Sequence, residues 1–251
     1  MFINHHGSIK LFADGANLDS IERLARDSLF DGITTNPSLM RSAGVTDYLN
    51  FCRRSVLFSR SKSISFEVFS DSLEEMKAQA LELSQLSSNV YVKVPITNST
   101  GTSTLPVIKY LLARGIPVNI TAVMSMSQID LLFSSIPLDS NAYISVFAGR
   151  IADTGRDPCE YIKYAIDKFA SHPSVEVLWA STREVFNIYE ATRVGCHIIT
   201  IPPSLVSRLK YQQYSLDSFS LDTVRMFKAD SDEAGYTIPI SVDIQRILKG
   251  V

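Results

Sequence analysis

Short apolar runs alternate along this chain with longer stretches in which apolar residues recur at helical spacing. The first run, Ile9-Lys10-Leu11-Phe12-Ala13, stops at Asp14-Gly15. A helical pattern follows from about Leu18 to Leu29, with Ile21, Leu24, Ala25 and Leu29 on one face. Gly32-Ile33-Thr34-Thr35 reads as a second strand, closed by Asn36-Pro37-Ser38, which taken alone is a capped turn. Val45, Leu49, Cys52 and Val56 then resume the helical period. Ser63 to Phe69 is the third strand, and Asp71-Ser72-Leu73-Glu74-Glu75 opens a helix in capping-box style that runs to about Leu86.

The fourth strand, Asn89 to Thr97, is β-branched and aromatic and is ended by Pro95. A helix follows to Arg114-Gly115, where glycine suits the C-terminal cap. Val118 to Val123 is the fifth strand, Ser127 to Phe133 a helix, and Tyr143 to Phe147 the sixth strand, which leads into a loop from Ala148 to Pro158. Cys159 to Phe169 is helical, Val175 to Trp179 is the seventh strand, and it ends at Ala180-Ser181-Thr182-Arg183. A helix from Glu184 to Thr192 precedes the eighth strand, Cys196 to Ile201, closed by Pro202-Pro203. Leu205 to Leu209 and Leu221 to Phe227 read as helices; from Gly235 onward the alternation is weak and assigns no element.

Successive strands joined through helices lie parallel with right-handed crossovers. Length alone, 251 residues, allows one domain or two small ones. Unbroken alternation without a linker favours a closed ring over an open sheet, and no Gly-x-Gly-x-x-Gly follows the first strand. The expected fold is α/β: a single (β/α)8 TIM barrel over residues 1–251, with an extra C-terminal helix and tail from about 217 to 251.

Composition narrows the function classes. The chain is 45% hydrophobic and 20% charged with a formal net charge of -2, and it has neither a basic block nor an acidic tail. It gives no electrostatic reason to expect nucleic acid or an anionic membrane as partner. Cys52, Cys159 and Cys196 are scattered and odd in number, which argues for a reducing compartment and against a disulfide framework or a zinc site. The N-terminus lacks the basic and apolar regions of a signal peptide, and no apolar run reaches transmembrane length, so a cytoplasmic location is expected.

The chemistry centres on Lys93, alone among apolar neighbours in the fourth strand. A lysine so placed either snorkels to the strand end, pairs with a carboxylate, or is kept uncharged to attack a ketone and form a Schiff base. In a barrel, catalysis sits at the carboxyl ends of the strands. Here those ends carry Asp14, Asn36, Glu67, Lys93, Asn119 with Thr121, Ser145 with Arg150, and Ser181 with Arg183. Ser65 and Glu67 share a face, as do Tyr91 and Lys93, Asn119 and Thr121, and Ser145 and Phe147. If those faces point inward, carboxylates, hydroxyls, an amide and the amine meet in one interior. Taken singly, Asp14 is also a turn residue, Glu67 also an ion-pair partner for Lys93, and Arg150 and Arg183 also surface arginines. The loop after strand seven is, however, a usual phosphate site in barrels, and arginine suits a phosphate. His172 and His197 have no partners at ligand spacing and read as structural.

Phe12-Ala13-Asp14, Gly32-Ile33-Thr34-Thr35-Asn36-Pro37-Ser38, Val92-Lys93-Val94-Pro95, Asn119-Ile120-Thr121, Ser145 through Ile151 and Ala180-Ser181-Thr182-Arg183 together resemble the transaldolase family, in order from the first strand to the eighth. That family is a (β/α)8 barrel of Schiff-base enzymes that also includes fructose-6-phosphate aldolases. The resemblance implies that Lys93 forms the Schiff base, Asp14 is the general acid/base, and Glu67 and Thr121 hold a catalytic water. It implies that Asn36 and Ser145 bind substrate hydroxyls, with Asn119 and Phe147 beside them, and that Arg150, Ser181 and Arg183 bind phosphate. It implies sugar phosphates as substrates, no cofactor and no metal, and a homo-oligomer, since small relatives tend to form rings. Glu67 and Phe147 match the transaldolase type; the aldolases tend to have glutamine and tyrosine there. Release of free dihydroxyacetone, as by the aldolases, and a non-catalytic sugar-phosphate-binding barrel are the alternatives.

Neutral amine at pH 7 needs the lysine pKa, ~10.4 in the free side chain, lowered by about 3 units. Burial supplies such a shift, while a carboxylate in contact opposes it. A water with Thr121 is therefore expected between Glu67 and Lys93.

Overall fold

The computed structural model describes residues 9–59 and 62–249. Eight strands close into one barrel in sequence order: β1 (Lys10–Asp14), β2 (Gly32–Thr34), β3 (Ser63–Glu67), β4 (Val90–Pro95), β5 (Val118–Val123), β6 (Ala142–Val146), β7 (Val175–Trp179) and β8 (Ile198–Ile201). Every neighbouring pair is parallel, and β8 closes on β1. The expected (β/α)8 TIM barrel is the fold.

The connecting helices are α1 (Leu18–Arg26), α2 (Pro37–Ser42), α3 (Tyr48–Ser59), α4 (Leu73–Ser84), α5 (Leu105–Leu112), α6 (Met126–Phe133), α7 (Ala148–Ala152), α8 (Pro158–Phe169), α9 (Phe186–Arg193) and α10 (Pro203–Val206). Their starts follow local chemistry. Ser72 caps α4 through Glu75 N, and Ser125 with Gln128 forms a reciprocal capping box on α6.

Several local readings change, among them the helix read over Leu205 to Leu209, which lies instead at Pro203–Val206. Asn36-Pro37-Ser38 is the start of α2 rather than a turn alone: the Asn36 side chain accepts from Leu39 N and Pro37 occupies the first helical turn, where its missing N–H costs nothing. The expected loop after β6 begins with α7, which its single turn and uncapped start at Phe147 hide from a periodicity reading. The C-terminal helix, α11, spans Leu216–Glu233, well beyond Leu221 to Phe227, and α12 (Val242–Lys249) lies where the pattern assigned nothing. Ser215 caps α11 through Ser218 N, a signal that polar positions around Leu216 and Phe219 obscured.

The chain divides into two compact units, residues up to Leu209 and residues from Lys210 onward. The barrel lies in the first. In the second, Tyr211, Tyr214 and Phe219 form an aromatic cluster, with Tyr211 and Phe219 centroids 4.9 Å apart. Among the described residues no helix is long and apolar enough to cross a membrane.

Alternate residues of each strand serve two cores. The outward set, such as Ile33, Phe66, Val92, Ile120, Ile144 and Val177, is fully buried between barrel and helices. Each such side chain stabilises the fold by about 1.5–3 kcal/mol. The inward set fills the lower barrel with Phe12, Tyr143, Leu178 and Ile198, joined by Tyr91. Tyr91 stacks on Tyr143 at 3.9 Å, and Phe12 meets Tyr143 edge-on at 5.5 Å. Gly32 is required beside this plug, because a Cβ there would lie 2.6 Å from the Phe12 ring. The plug closes the barrel below and leaves its upper end to polar groups.

Candidate active site

Register decides which polar groups meet. Glu67 pairs with Lys93 and Lys93 with Asn119 across three neighbouring strands, while Asp14 pairs with Thr34 and Thr34 with Ser65. These residues all share the inward face with Phe12 and Tyr91, so the upper interior is polar where apolar filling would otherwise continue. The parity read from the sequence holds on every strand where it was drawn.

Lys93 is buried, at 6% exposure. Its Nζ donates to the Thr35 carbonyl at 3.0 Å and lies 3.1 Å from Glu67 Oε2. The carboxylate thus touches the amine directly, instead of standing off behind a water as expected. The cause is the register: adjacent strands place the two side chains side by side. Glu67 is anchored from behind, its backbone carbonyl accepting from Tyr48 Oη at 2.5 Å.

Asp14, at the end of β1, accepts from Thr34 Oγ1 at 3.1 Å and, at 3.5 Å, from Asn36 Nδ2. Burial pushes its carboxyl above the usual carboxylate range. The Lys93 charge and the Thr34 and Asn36 hydrogen bonds pull the other way, and the Glu67 charge adds to the rise. Burial is the largest of these effects, as expected for an anion among low-dielectric walls.

Thr121 is among the residues that line the cavity, and its buried Oγ1 has no hydrogen-bond partner among the described residues. The end of β5 is irregular here: its register on β6 shifts between Ile120 and Val123, and Ala122 has φ of 61°. Ser181 at the end of β7 has φ of 62°. Left-handed non-glycine residues cost about 1–3 kcal/mol each, and both of these lie on the wall of one cavity.

One cavity of about 500 Å³, a size that suits a small ligand, receives these groups. Asp14, Asn36, Glu67, Lys93, Thr121, Ser145, Phe147, Arg150, Ser181 and Arg183 all line it. Asn119 does not. It lies one layer deeper, donating to Ser65 Oγ at 3.0 Å and accepting from Ser145 Oγ at 2.6 Å. Its amide is occupied, so it supports Ser145 from below and does not stand on the wall. A second, apolar cavity of about 370 Å³ lies beside the first and shares Glu67, with Tyr48, Phe69 and Leu83 among its walls.

Arg150 and Arg183 flank the mouth. Gly149 lets α7 lie against the next loop, for a Cβ there would fall 1.8 Å from the Ser181 carbonyl. Arg183 is paired with Asp153 at 2.6 Å, whereas Arg150 makes no ion pair among the described residues. His197, read as structural, accepts from Val177 N at 2.9 Å, and His172 is buried beside Phe169 and Phe133.

Several contributors escaped the sequence reading. Thr34 and Thr200 hydroxyls lie 2.6 Å apart, and Thr182 donates to the Thr200 carbonyl at 2.7 Å, forming a polar seam that ends on Asp14. A threonine within Ile198-Ile199-Thr200-Ile201 was the available signal, since it breaks an apolar run on the inward parity. A buried amine, two carboxylates of unlike setting and two arginines at the mouth are equipped for imine chemistry on an anionic carbonyl compound.

The family model described as Transaldolase/Fructose-6-phosphate aldolase matches residues 11–238. A protein of Nitrosopumilus maritimus named "Probable transaldolase" is 35% identical over 205 residues, 80% of this chain and 87% of that one. A second of that name, from Desulforudis audaxviator, is 33% identical over 202 residues, 80% of this chain and 89% of that one. Among solved structures, orotidine 5'-monophosphate decarboxylase from Metallosphaera sedula superposes with a TM-score of 0.51 at 12% identity. It covers 86% of this chain and 97% of its own, and that likeness concerns the fold alone.

Proposed function

Starting from a chain that belongs to the transaldolase/fructose-6-phosphate aldolase family, we propose that it is a transaldolase, moving a dihydroxyacetone unit between sugar phosphates through a Schiff base on Lys93. The observation that carries this reading is the buried Lys93 amine in contact with Glu67, in the cavity that Asp14 also lines.

The cycle needs Lys93 to shed a proton, and Glu67 Oε2 at 3.1 Å is positioned to take it. The neutral amine adds to the C2 carbonyl of a ketose phosphate. Glu67 then returns the proton to the carbinolamine hydroxyl, which leaves as water and gives the iminium. In this reading the proton passes directly within the Lys93–Glu67 pair. Asp14, held by Thr34, removes the proton of the C4 hydroxyl, and its raised pKa makes it a stronger base than an ordinary carboxylate. The C3–C4 bond breaks, its electrons pass into the iminium, and the aldose phosphate departs. General acid–base help of this kind contributes about 10²–10⁴-fold.

The three-carbon enamine remains on Lys93 until an aldose phosphate enters and the steps run backward. Arg150 and Arg183 hold the phosphate of donor and acceptor at the mouth, beyond reach of the reacting carbons. Turnover of a ketose phosphate with and without an added aldose phosphate tests the assignment. Transfer requires the acceptor; rapid release of dihydroxyacetone without one would make the protein an aldolase instead.

A further inference from the structure

Arg183 is spoken for before any substrate arrives. Its Nη2 lies 2.6 Å from Asp153 Oδ2, and both side chains are about half exposed, at 53% and 57%. Asp153 ends α7, its N–H donating to the Gly149 carbonyl at 3.0 Å, and Gly149 seats that helix on Ser181. Arg183 N donates to Asn187 Oδ1 at 2.9 Å, so its backbone is tied while its guanidinium turns on side-chain torsions alone. Arg150, on the same helix as the approach to Asp153, makes no ion pair among the described residues. Asp153 itself is not on the cavity wall.

The geometry points to Asp153 as a positioning residue that sets specificity: it holds Arg183 in the free protein and yields it to a substrate phosphate. This rests on reading Arg150 and Arg183 as the phosphate ligands. The charges support the exchange. Two arginines less one carboxylate leave the mouth with a net charge of about +1, while a phosphate monoester brings roughly −1.5 to −2 at neutral pH. The phosphate group outcompetes a monovalent carboxylate for the fork, whereas an unphosphorylated sugar has nothing to offer Arg183 and leaves the pair closed. Exposed pairs of this kind hold weakly, so the exchange is open to ligand and is not a lock.

Asp153→Asn should tighten inorganic phosphate, measured by calorimetry, and lower KM for a ketose phosphate, each by roughly two- to five-fold, the range an exposed pair supports. The kcat, and KM for an unphosphorylated ketose, should stay as in the parent. Asp153→Ala should behave as Asp153→Asn, and Asp153→Glu should restore parental values. Weaker or unchanged phosphate binding in both Asp153→Asn and Asp153→Ala would overturn the role. Arg183→Gln separates the two levels of the argument. If it leaves phosphate binding unchanged, the phosphate reading of Arg183 fails and this role with it. If it weakens phosphate while the Asp153 variants do not strengthen it, the role of Asp153 alone falls.

Discussion

Lys93 Nζ and Glu67 Oε2 are 3.1 Å apart because β3 and β4 place the two residues directly opposite each other in register. The amine is at 8% side-chain exposure and the carboxylate at 18%, so the contact is screened little by solvent. Removing the lysine strands a mostly buried anion. Lys93→Met should therefore destabilise the barrel by about 1–3 kcal/mol, below the 3–5 of a wholly buried pair because Glu67 retains some solvent. Adding Glu67→Gln should recover most of that loss. Urea unfolding of both variants checks it: equal stability of single and double variants would show that the pair is not coupled.

Asp14 contributes to stability in the opposite sense to an ordinary salt-bridged carboxylate. Its pKa in the fold lies above the 3.8 of the free group, so the folded state binds the proton more tightly. Its favourable contribution is complete below the unfolded value and is lost as pH rises through the folded one. Asp14→Asn should then raise stability at pH 7 by roughly 0.5–2 kcal/mol, with no gain at pH 3, while abolishing turnover. Thermal melts at the two pH values decide it, a uniform loss at both being contrary.

The Thr34 hydroxyl lowers the Asp14 pKa by donating to it at 3.1 Å. Thr34→Val removes that bond at similar volume, so the acidic limb of the kcat profile should move to higher pH. Activity at the optimum should fall by about tenfold, the worth of one charge-assisted hydrogen bond. A limb that stays in place would assign the acidic ionisation to another group.

Gly149→Ala forces a Cβ to within 1.8 Å of the Ser181 carbonyl, a contact with backbone that no rotamer relieves. The two loops must part, at a cost of about 1–3 kcal/mol. KM for phosphorylated substrates should rise more than kcat falls, because Arg150 and Ser181 lie on the displaced segments. Unchanged KM would separate the mouth from phosphate binding.

Phe147 borders the same cavity. Phe147→Tyr adds a phenol to this cavity, a proton donor and acceptor for hydrolysis of the iminium, so the ratio of dihydroxyacetone release to transfer should rise. Product analysis with a saturating acceptor measures that ratio, and an unaltered one would remove Phe147 as a determinant of partition.

Periodicity made part of the fold and site legible in the sequence. The inward parity of Ser65, Glu67, Lys93, Asn119 and Thr121 was legible because side chains of a regular strand alternate between its two faces. That rule also fixed the Glu67–Lys93 contact, although only the register, which no single strand reveals, brought it within 3.1 Å. Depth was not legible. Asn119 and Thr121 share a face, but Asn119 is one pleat lower and spends its amide on Ser65 and Ser145. Helices shorter than two turns, α2 and α7, leave too few positions for a helical period to register. The Asp153–Arg183 pair joins two loops, 30 residues apart, by their folded proximity alone.

The proposed reaction runs through a covalent bond to one amine, which borohydride reduction in the presence of a ketose phosphate should trap. A reduced three-carbon adduct should be found by peptide mass mapping at Lys93 and be absent from Lys93→Met. An active protein that yields no adduct, or one carrying the adduct on another lysine, would contradict it.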